Sequence, residues 1–177
     1  HPLKSLNVMG DGGAVVTNNK KIFNWLKMYR NHGMINRDKI SLWGVNNRIQ
    51  PLQAVVALEG LKKLDTNLKK RKVNADYLDK NLEDLSKSIK IPKRLPNYKE
   101  TYALYMLLCK KRNNLKKYLK KNGVETRIHY PTPLHKQKPY KKNLKNNLDL
   151  KTAENQAKEL LTLPVHQYLS KNQLDFM

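Results

Sequence analysis

Lys4 stands just ahead of a turn built from Gly10-Asp11-Gly12-Gly13, and the run Ala14-Val15-Val16-Thr17 follows. Held by that turn at the floor of a pocket, its ammonium would lose hydration and its pKa would fall. The free amine is then a nucleophile toward a carbonyl. A surface lysine beside a turn is the plainer reading, and position alone favours it in a chain with 36 lysines and arginines. Arg48 offers a planar fork of donors suited to a phosphate or a carboxylate. Its plainer role is to brace the start of the helix that follows. His129, Tyr130 and His135 lie where prolines occupy positions 131, 133 and 139, a rigid mount for polar groups. Three histidines (129, 135 and 166) invite a zinc reading. Their spacing fits no common zinc pattern and Cys109 is the single cysteine, so no metal site is expected.

The elements that must hold these groups read in two halves joined by a long helix. Ala14 to Thr17 predicts a strand, stopped by Asn18-Asn19. Lys20 to Arg30 predicts a helix with Ile22, Phe23, Leu26 and Tyr29 on one face and Gly33 past its end. Met34 to Asn47 has no clear period and reads as a loop. Pro51 opens a helix where its missing N–H costs nothing, and an apolar stripe from Leu52 to Leu68 carries it to about Leu85. Charge density rises after Leu61, so the first half of this helix is expected to be buried and the second exposed. Ile89 begins the second half of the chain. Thr101 to Cys109 predicts a strand covered at least in part on both faces. Asn113 to Asn122 predicts a helix with Leu115, Tyr118 and Leu119 inward and Gly123 as cap. Val124 to His129 predicts a further strand, Tyr130 to Pro139 a fixed loop, and Thr152 to Leu161 a helix with Thr152 as its N-cap or an early helical residue.

The 177 residues are 39% hydrophobic and 7% aromatic, which fits a soluble globular protein of one domain or parts of two. The longest apolar stretch, Tyr102 to Cys109, is too short to span a bilayer. Cys109 has no partner for an internal disulfide, and a reduced buried thiol points to the cytoplasm. The net charge is +22, and residues 101–150 hold 13 basic and 2 acidic side chains. Such a field attracts polyanions. The basic pairs, among them Lys116-Lys117, Lys120-Lys121 and Lys141-Lys142, punctuate amphipathic segments without interleaved aromatics for stacking. A solvated basic face is therefore the reading. A basic nucleic-acid-binding module is the rival from another class.

Four blocks carry a resemblance over nearly the whole chain. They are the string from His1 to Asn18 around Lys4; Trp43-Gly44-Val45-Asn46-Asn47-Arg48 with Leu52-Gln53-Ala54; Ile128 to His135; and Leu163-Pro164-Val165-His166. In this order they resemble the DegT/DnrJ/EryC1/StrS sugar aminotransferases. The resemblance implies an α/β, fold-type I pyridoxal phosphate-dependent transferase. Residues 1–50 would end its large cofactor-binding domain, 51–86 would form a connecting helix, and 87–177 a small C-terminal α+β domain. Family members carry a long N-terminal portion ahead of the lysine motif, so the chain is expected to be the C-terminal half of a larger enzyme, inactive alone.

The resemblance also implies roles. Lys4 would bind pyridoxal 5'-phosphate as a Schiff base and then act as general acid and base. Asn46 would reach the cofactor phosphate of a neighbouring subunit, its amide donating. Arg48, His129, Tyr130 and His135 would meet substrate. Glutamate would give the amino group to a keto-deoxysugar on a nucleoside diphosphate, in a homodimer with shared active sites. Related dehydratases replace the lysine with histidine, so Lys4 favours transamination over a dehydratase or regulatory homologue. The chain departs from the family at Val45, where tyrosine is common, and at Gln50, where an acidic residue is common, which leaves the contacts of that loop open.

Overall fold

A computed structural model of the chain describes residues 1, 4–143 and 149–177, the side chains of 141–143 excepted. Pro2-Leu3 of the lysine segment and the side chains of the Lys141-Lys142 pair lie outside the described residues. The chain divides into two compact units, His1–Asp65 and Thr66–Met177.

In the first unit, Asn19 opens helix α1 (Lys20–Tyr29) by accepting the Lys21 and Ile22 amides on its side chain. Gly33, at φ +74°, closes it by donating its N–H to the Met28 carbonyl. The helix is the one its periodicity predicts, yet none of its residues is buried. Ala14 to Thr17 does not form the expected strand. A strand's backbone groups need a neighbouring chain, and no described residue pairs with this segment, so Val16 is left 94% exposed. The expected loop after α1 contains a small antiparallel hairpin, β1 (Met34–Asn36) and β2 (Lys39–Ile40). The Asn36 side chain turns it by accepting the Asp38 amide, a local device that no apolar period announces.

Helix α2 (Pro51–Asn81) begins at the expected proline. Its burial is the reverse of the expectation. Leu52 is 82% exposed, and Val55, Leu58 and Leu61 are exposed too. The buried residues are Arg71, Asn74, Ala75 and Leu78, in the charge-rich half. What decides burial is the surface available to cover the helix. In the second unit a sheet covers one narrow face, and the lysines stand on the other.

That sheet is antiparallel, in the order β3 (Ile89–Lys90), β4 (Tyr105–Cys109), β5 (Leu160–Leu163). Strand β4 starts later than expected because Tyr102, at φ +47°, leaves the extended region. Tyr105, Leu107 and Cys109 are buried on one face, and the other face is partly open at Met106 and Leu108. Helix α3 (Arg112–Lys121) ends at Gly123, φ +83°, as expected. Leu119 is buried but Tyr118 is 65% exposed, contrary to expectation. Arg112 takes the inner face instead, its guanidinium donating to the Ala157 and Leu160 carbonyls at 3.2 and 3.0 Å.

Residues 124–129 contribute one bridge, Arg127 to Thr162, in place of the predicted strand. Alternate residues of β5 turn their backbone groups to β4, and on the other edge of this four-residue strand Thr162 exchanges both backbone bonds with Arg127. Past Pro133 the expected fixed loop gives way to a short 3-10 turn (Leu134–Lys136) and to helix α4 (Lys138–Asn143), with Pro139 in its first turn. Helix α5 (Lys151–Glu159) contains Thr152 as an early helical residue, its N-cap being Leu150. It stops short of Leu161. The apolar run 160–163 suits either period, and pairing with β4 makes it a strand. A capping box between Ser170 and Gln173 starts helix α6 (Lys171–Phe176).

Ala75 and Leu78 of α2 join Ile89, Tyr105, Leu107 and Leu161 in the core. Polar groups seal its rim. Asn74 donates to the His166 carbonyl at 2.9 Å, and Arg71 donates to the Tyr102 carbonyl and the Gln167 side chain, each at 2.9 Å. The Leu163-Pro164-Val165-His166 block is thus bound to α2. Arg94 grips Asp79 through two 3.0 Å bonds, and the Tyr105 hydroxyl donates to the same carboxylate at 2.7 Å. Burial opposes the charge on Asp79, but these donors and the Arg94 charge outweigh it and hold the carboxyl below its ordinary value of 3.8. Burial, with the bond to Asp79, pushes the Tyr105 phenol up.

A carboxylate whose pKa is depressed by folding contributes stability that is fully present above the ordinary value and lost as pH falls through the folded value. Urea titrations of the protein monitored on the second unit should therefore show its midpoint falling below about pH 4. Asp79→Asn should flatten that dependence and cost about 1–3 kcal/mol at neutral pH.

Candidate functional site

Each unit carries its own set of candidate residues. In the first, Lys4 is exposed among the described residues and is not enclosed by the glycine turn. Its amide donates to the His1 carbonyl at 3.0 Å. The next side chain, Ser5, has a buried hydroxyl with no hydrogen-bond partner among the described residues. Leu6 lies over Gly60 of α2 so closely that a Cβ there would stand 2.9 Å from its methyl. Val8 is buried against Gly12. Gln53, in the first turn of α2, donates its amide to the Asp11 carbonyl at 3.1 Å.

The loop carrying Asn46 is fastened to the open end of α1. Val45 and Asn47 donate their amides to the Tyr29 and Arg30 carbonyls at 2.7 and 2.8 Å, and His32 donates to the Val45 carbonyl at 3.0 Å. These bonds satisfy helix-end carbonyls that have no partner within α1. The two backbones approach closely because both contact points are glycine. A Cβ on Gly44 would fall 2.2 Å from the Gly33 nitrogen and 2.6 Å from the Tyr29 oxygen. Asn46 and Arg48 are brought together: the Arg48 Nε–H donates to the Asn46 Oδ1 at 3.1 Å. The Asn46 oxygen is thereby engaged, and its NH₂ presents two donors. No hydrogen bond joins either residue to Lys4 among the described residues.

In the second unit, His129, Tyr130 and His135 share a cleft of about 790 Å³ whose wall includes Tyr140, Gln156 and Leu160. His129 Nδ1 lies 3.1 Å from the Thr162 hydroxyl, and that hydroxyl donates to the Arg127 carbonyl at 2.8 Å. The hydroxyl proton is spent on the carbonyl, so Nδ1 must be the donor. In the neutral ring Nε2 is then the acceptor. The Tyr130 ring stands edge-on to His129, with centroids 5.4 Å apart, and is 73% exposed. His135 is buried, and its Nε2 meets Glu154 at 3.0 Å. The His135 bond and then Lys136, also 3.0 Å away, hold the Glu154 carboxyl below its ordinary value. His135 thus serves the wall of the cleft, while His129 and Tyr130 face its opening. His166 accepts the Tyr168 amide on Nδ1 and is not a member of the cleft lining. Among the described residues no three metal-ligating side chains converge.

The sequence reading gave no role to Ser5, Glu154 or Gln53, although Gln53 stands in the Leu52-Gln53-Ala54 block. For Gln53 a signal existed: Gln50 and Gln53 have the spacing of a capping box. Glu154 gave none, since its partner lies 19 residues away.

The sequence profile of the DegT/DnrJ/EryC1/StrS aminotransferase family matches residues 1–176. The chain belongs to that family. It is 33% identical over 175 residues to the erythromycin biosynthesis sensory transduction protein EryC1 of Saccharopolyspora erythraea, covering 99% of this chain and 48% of that protein. It is 34% identical to the UDP-2-acetamido-2-deoxy-3-oxo-D-glucuronate aminotransferase of Pseudomonas aeruginosa, covering 95% and 45%. The crystal structure of Streptomyces venezuelae DesV, in complex with a ketimine intermediate, superposes with a TM-score of 0.93 at 30% identity over 98% of this chain and 47% of that one. The fold is thus that of the DegT-family aminotransferases. The chain spans about half the length of the relatives it matches.

The Gly33–Gly44 contact makes a sharp demand. Gly44→Ala should separate the Asn46 loop from α1, because a methyl cannot share space with two backbone atoms. Limited proteolysis should then cut within residues 33–48 faster, with no change in the second unit.

Proposed function

We propose that the protein, at the length its relatives have, is a pyridoxal phosphate-dependent aminotransferase. It would take an amino group from glutamate and pass it to a keto-deoxysugar linked to a nucleoside diphosphate. The observation that carries this reading is the family match over residues 1–176 with Lys4 present in the lysine segment. The residues fit the cofactor. Lys4 is an accessible amine, the Ser5 hydroxyl beside it has no partner among the described residues, and the Asn46 amide presents donors of the kind a phosphate oxygen takes. When bound, pyridoxal phosphate supplies the carbonyl that receives the amino group and the ring that draws off electrons.

The chain's own residues then divide the work. Lys4 holds the cofactor and afterwards moves the proton at its Nζ. Asn46 donates to the phosphate, in a dimer that of a neighbouring subunit, and Arg48 orients the Asn46 amide while its remaining donors meet an anion. His129 Nε2 accepts from a sugar hydroxyl, and the Tyr130 ring and hydroxyl lie beside it. His135, tied to Glu154, keeps that wall in place. In this reading 1–50 ends the large domain, 51–86 connects and 87–177 is the small domain. A homodimer with shared active sites agrees with the apolar surface that Trp43, Leu52, Val55 and Leu58 leave uncovered. No helix of the described residues is long and apolar enough to cross a membrane, and the buried, unpaired Cys109 suits a cytoplasmic enzyme.

A regulatory reading is favoured by one observation, the sensory-transduction name of the Saccharopolyspora relative. Spectroscopy separates the two. The full-length protein loaded with pyridoxal phosphate should convert to the amine form of the cofactor on addition of glutamate, and no conversion overturns the aminotransferase reading. Borohydride followed by peptide mapping should place the label on Lys4. Lys4→Ala should lose at least about a hundredfold in turnover, the lower end of what a positioned acid–base group contributes.

A further inference from the structure

The Gln53 amide has a partner at each end. Its Oε1 accepts the Gln50 amide at 3.4 Å, a capping contact at the start of α2. That contact fixes which end of the group faces away. Its Nε2 then meets the Asp11 carbonyl at 3.1 Å, in the turn that follows Lys4. Among the described residues this is the single hydrogen bond between residues 4–17 and a distant part of the unit. At the glycines the segment also meets apolar groups, Leu6 over Gly60 and Ile49 near Gly12. Gly10 is shaped to the contact, since a Cβ there would stand 2.9 Å from Nε2.

We propose that Gln53 is a positioning residue for Lys4, fixing the lysine segment to the helix whose lead-in carries Asn46 and Arg48. The proposal rests on the aminotransferase reading and deepens it, since it concerns the same site. The chemistry requires an amide. It needs an acceptor for the Gln50 N–H and a donor for the Asp11 carbonyl on one side chain of this length. A glutamate would oppose a carboxylate oxygen to the Asp11 carbonyl. A methionine would leave both backbone groups without their partner. Gly10→Ala crowds the same contact and leaves Gln53 in place, while at φ +158° it also strains the backbone of the segment, so the Gln53 variants decide.

The full-length protein is compared with Gln53→Glu, Gln53→Met and Gly10→Ala by two readouts. Hydrogen exchange without cofactor follows the amides of residues 4–13, with β4 as internal reference. The absorbance of the bound cofactor is then titrated against pH, alongside its affinity. Exchange at 4–13 should quicken about two- to tenfold in all three variants while β4 is unchanged, the range one net hydrogen bond supplies. The absorbance midpoint should move and pyridoxal phosphate affinity should fall by a similar factor. Equal acceleration in β4 would make Gln53 a general brace and overturn the proposal, as would an unmoved midpoint. If the wild type takes up no pyridoxal phosphate, the aminotransferase reading falls by itself. The exchange arm then still decides whether the tether exists.

Discussion

The seam between α2 and the three-stranded sheet is what the second unit depends on. Ala75 has no exposed surface and Leu78 almost none, so the helix lies directly on Tyr105, Leu107 and Leu161. Close-packed contact of this kind tolerates neither gaps nor stray polar groups. Each polar group along the seam accordingly has work to do. Asn74 and Arg71 satisfy carbonyls at residues 166 and 102, and Asp79 collects Arg94 and Tyr105. With these bonds in place, β5 and the segment after it are fixed. Thr162 of β5 then sets the His129 ring, so a histidine of the cleft inherits its orientation from the core.

The first unit is organised by a different constraint. It buries little of its own apolar surface and relies on backbone contacts made at glycine. Gly33 against Gly44 brings the Asn46 loop onto the carbonyl end of α1, and Gly60 receives Leu6 of the lysine segment. Such contacts give precise backbone placement with little buried area. They supply little hydrophobic stabilisation, and Leu52, Val55 and Trp43 add none while they stand exposed.

The legible parts of the fold were those with local causes. Asn19 and Gly33 bound α1, Pro51 opens α2, and Gly123 ends α3, each through a backbone preference of one residue type. The parts that needed partners were not legible. Leu160–Leu163 carries no mark that distinguishes a helix end from a strand, and β4 made the choice. The burial of α2 could not be read from its lysines, because Ala75 and Leu78 face the sheet while Lys69 and Lys72 do not. Tyr118 looked inward until Arg112 proved to fill that face. Of the candidate site, the chemistry-bearing residues Lys4, Asn46 and Arg48 stood out by motif. Gln53 and Glu154 make their hydrogen bonds across 42 and 19 positions, and no single-window pattern reveals such a partner.

The Val15-Val16 stretch has a consequence for handling. It is β-branched and solvent-facing, and its amides and carbonyls make no ladder among the described residues. Concentrated solutions of this polypeptide by itself should thicken or precipitate, as such stretches dock on one another edge to edge and seed cross-β association. A lysine introduced at position 16 would act as a gatekeeper against that fate.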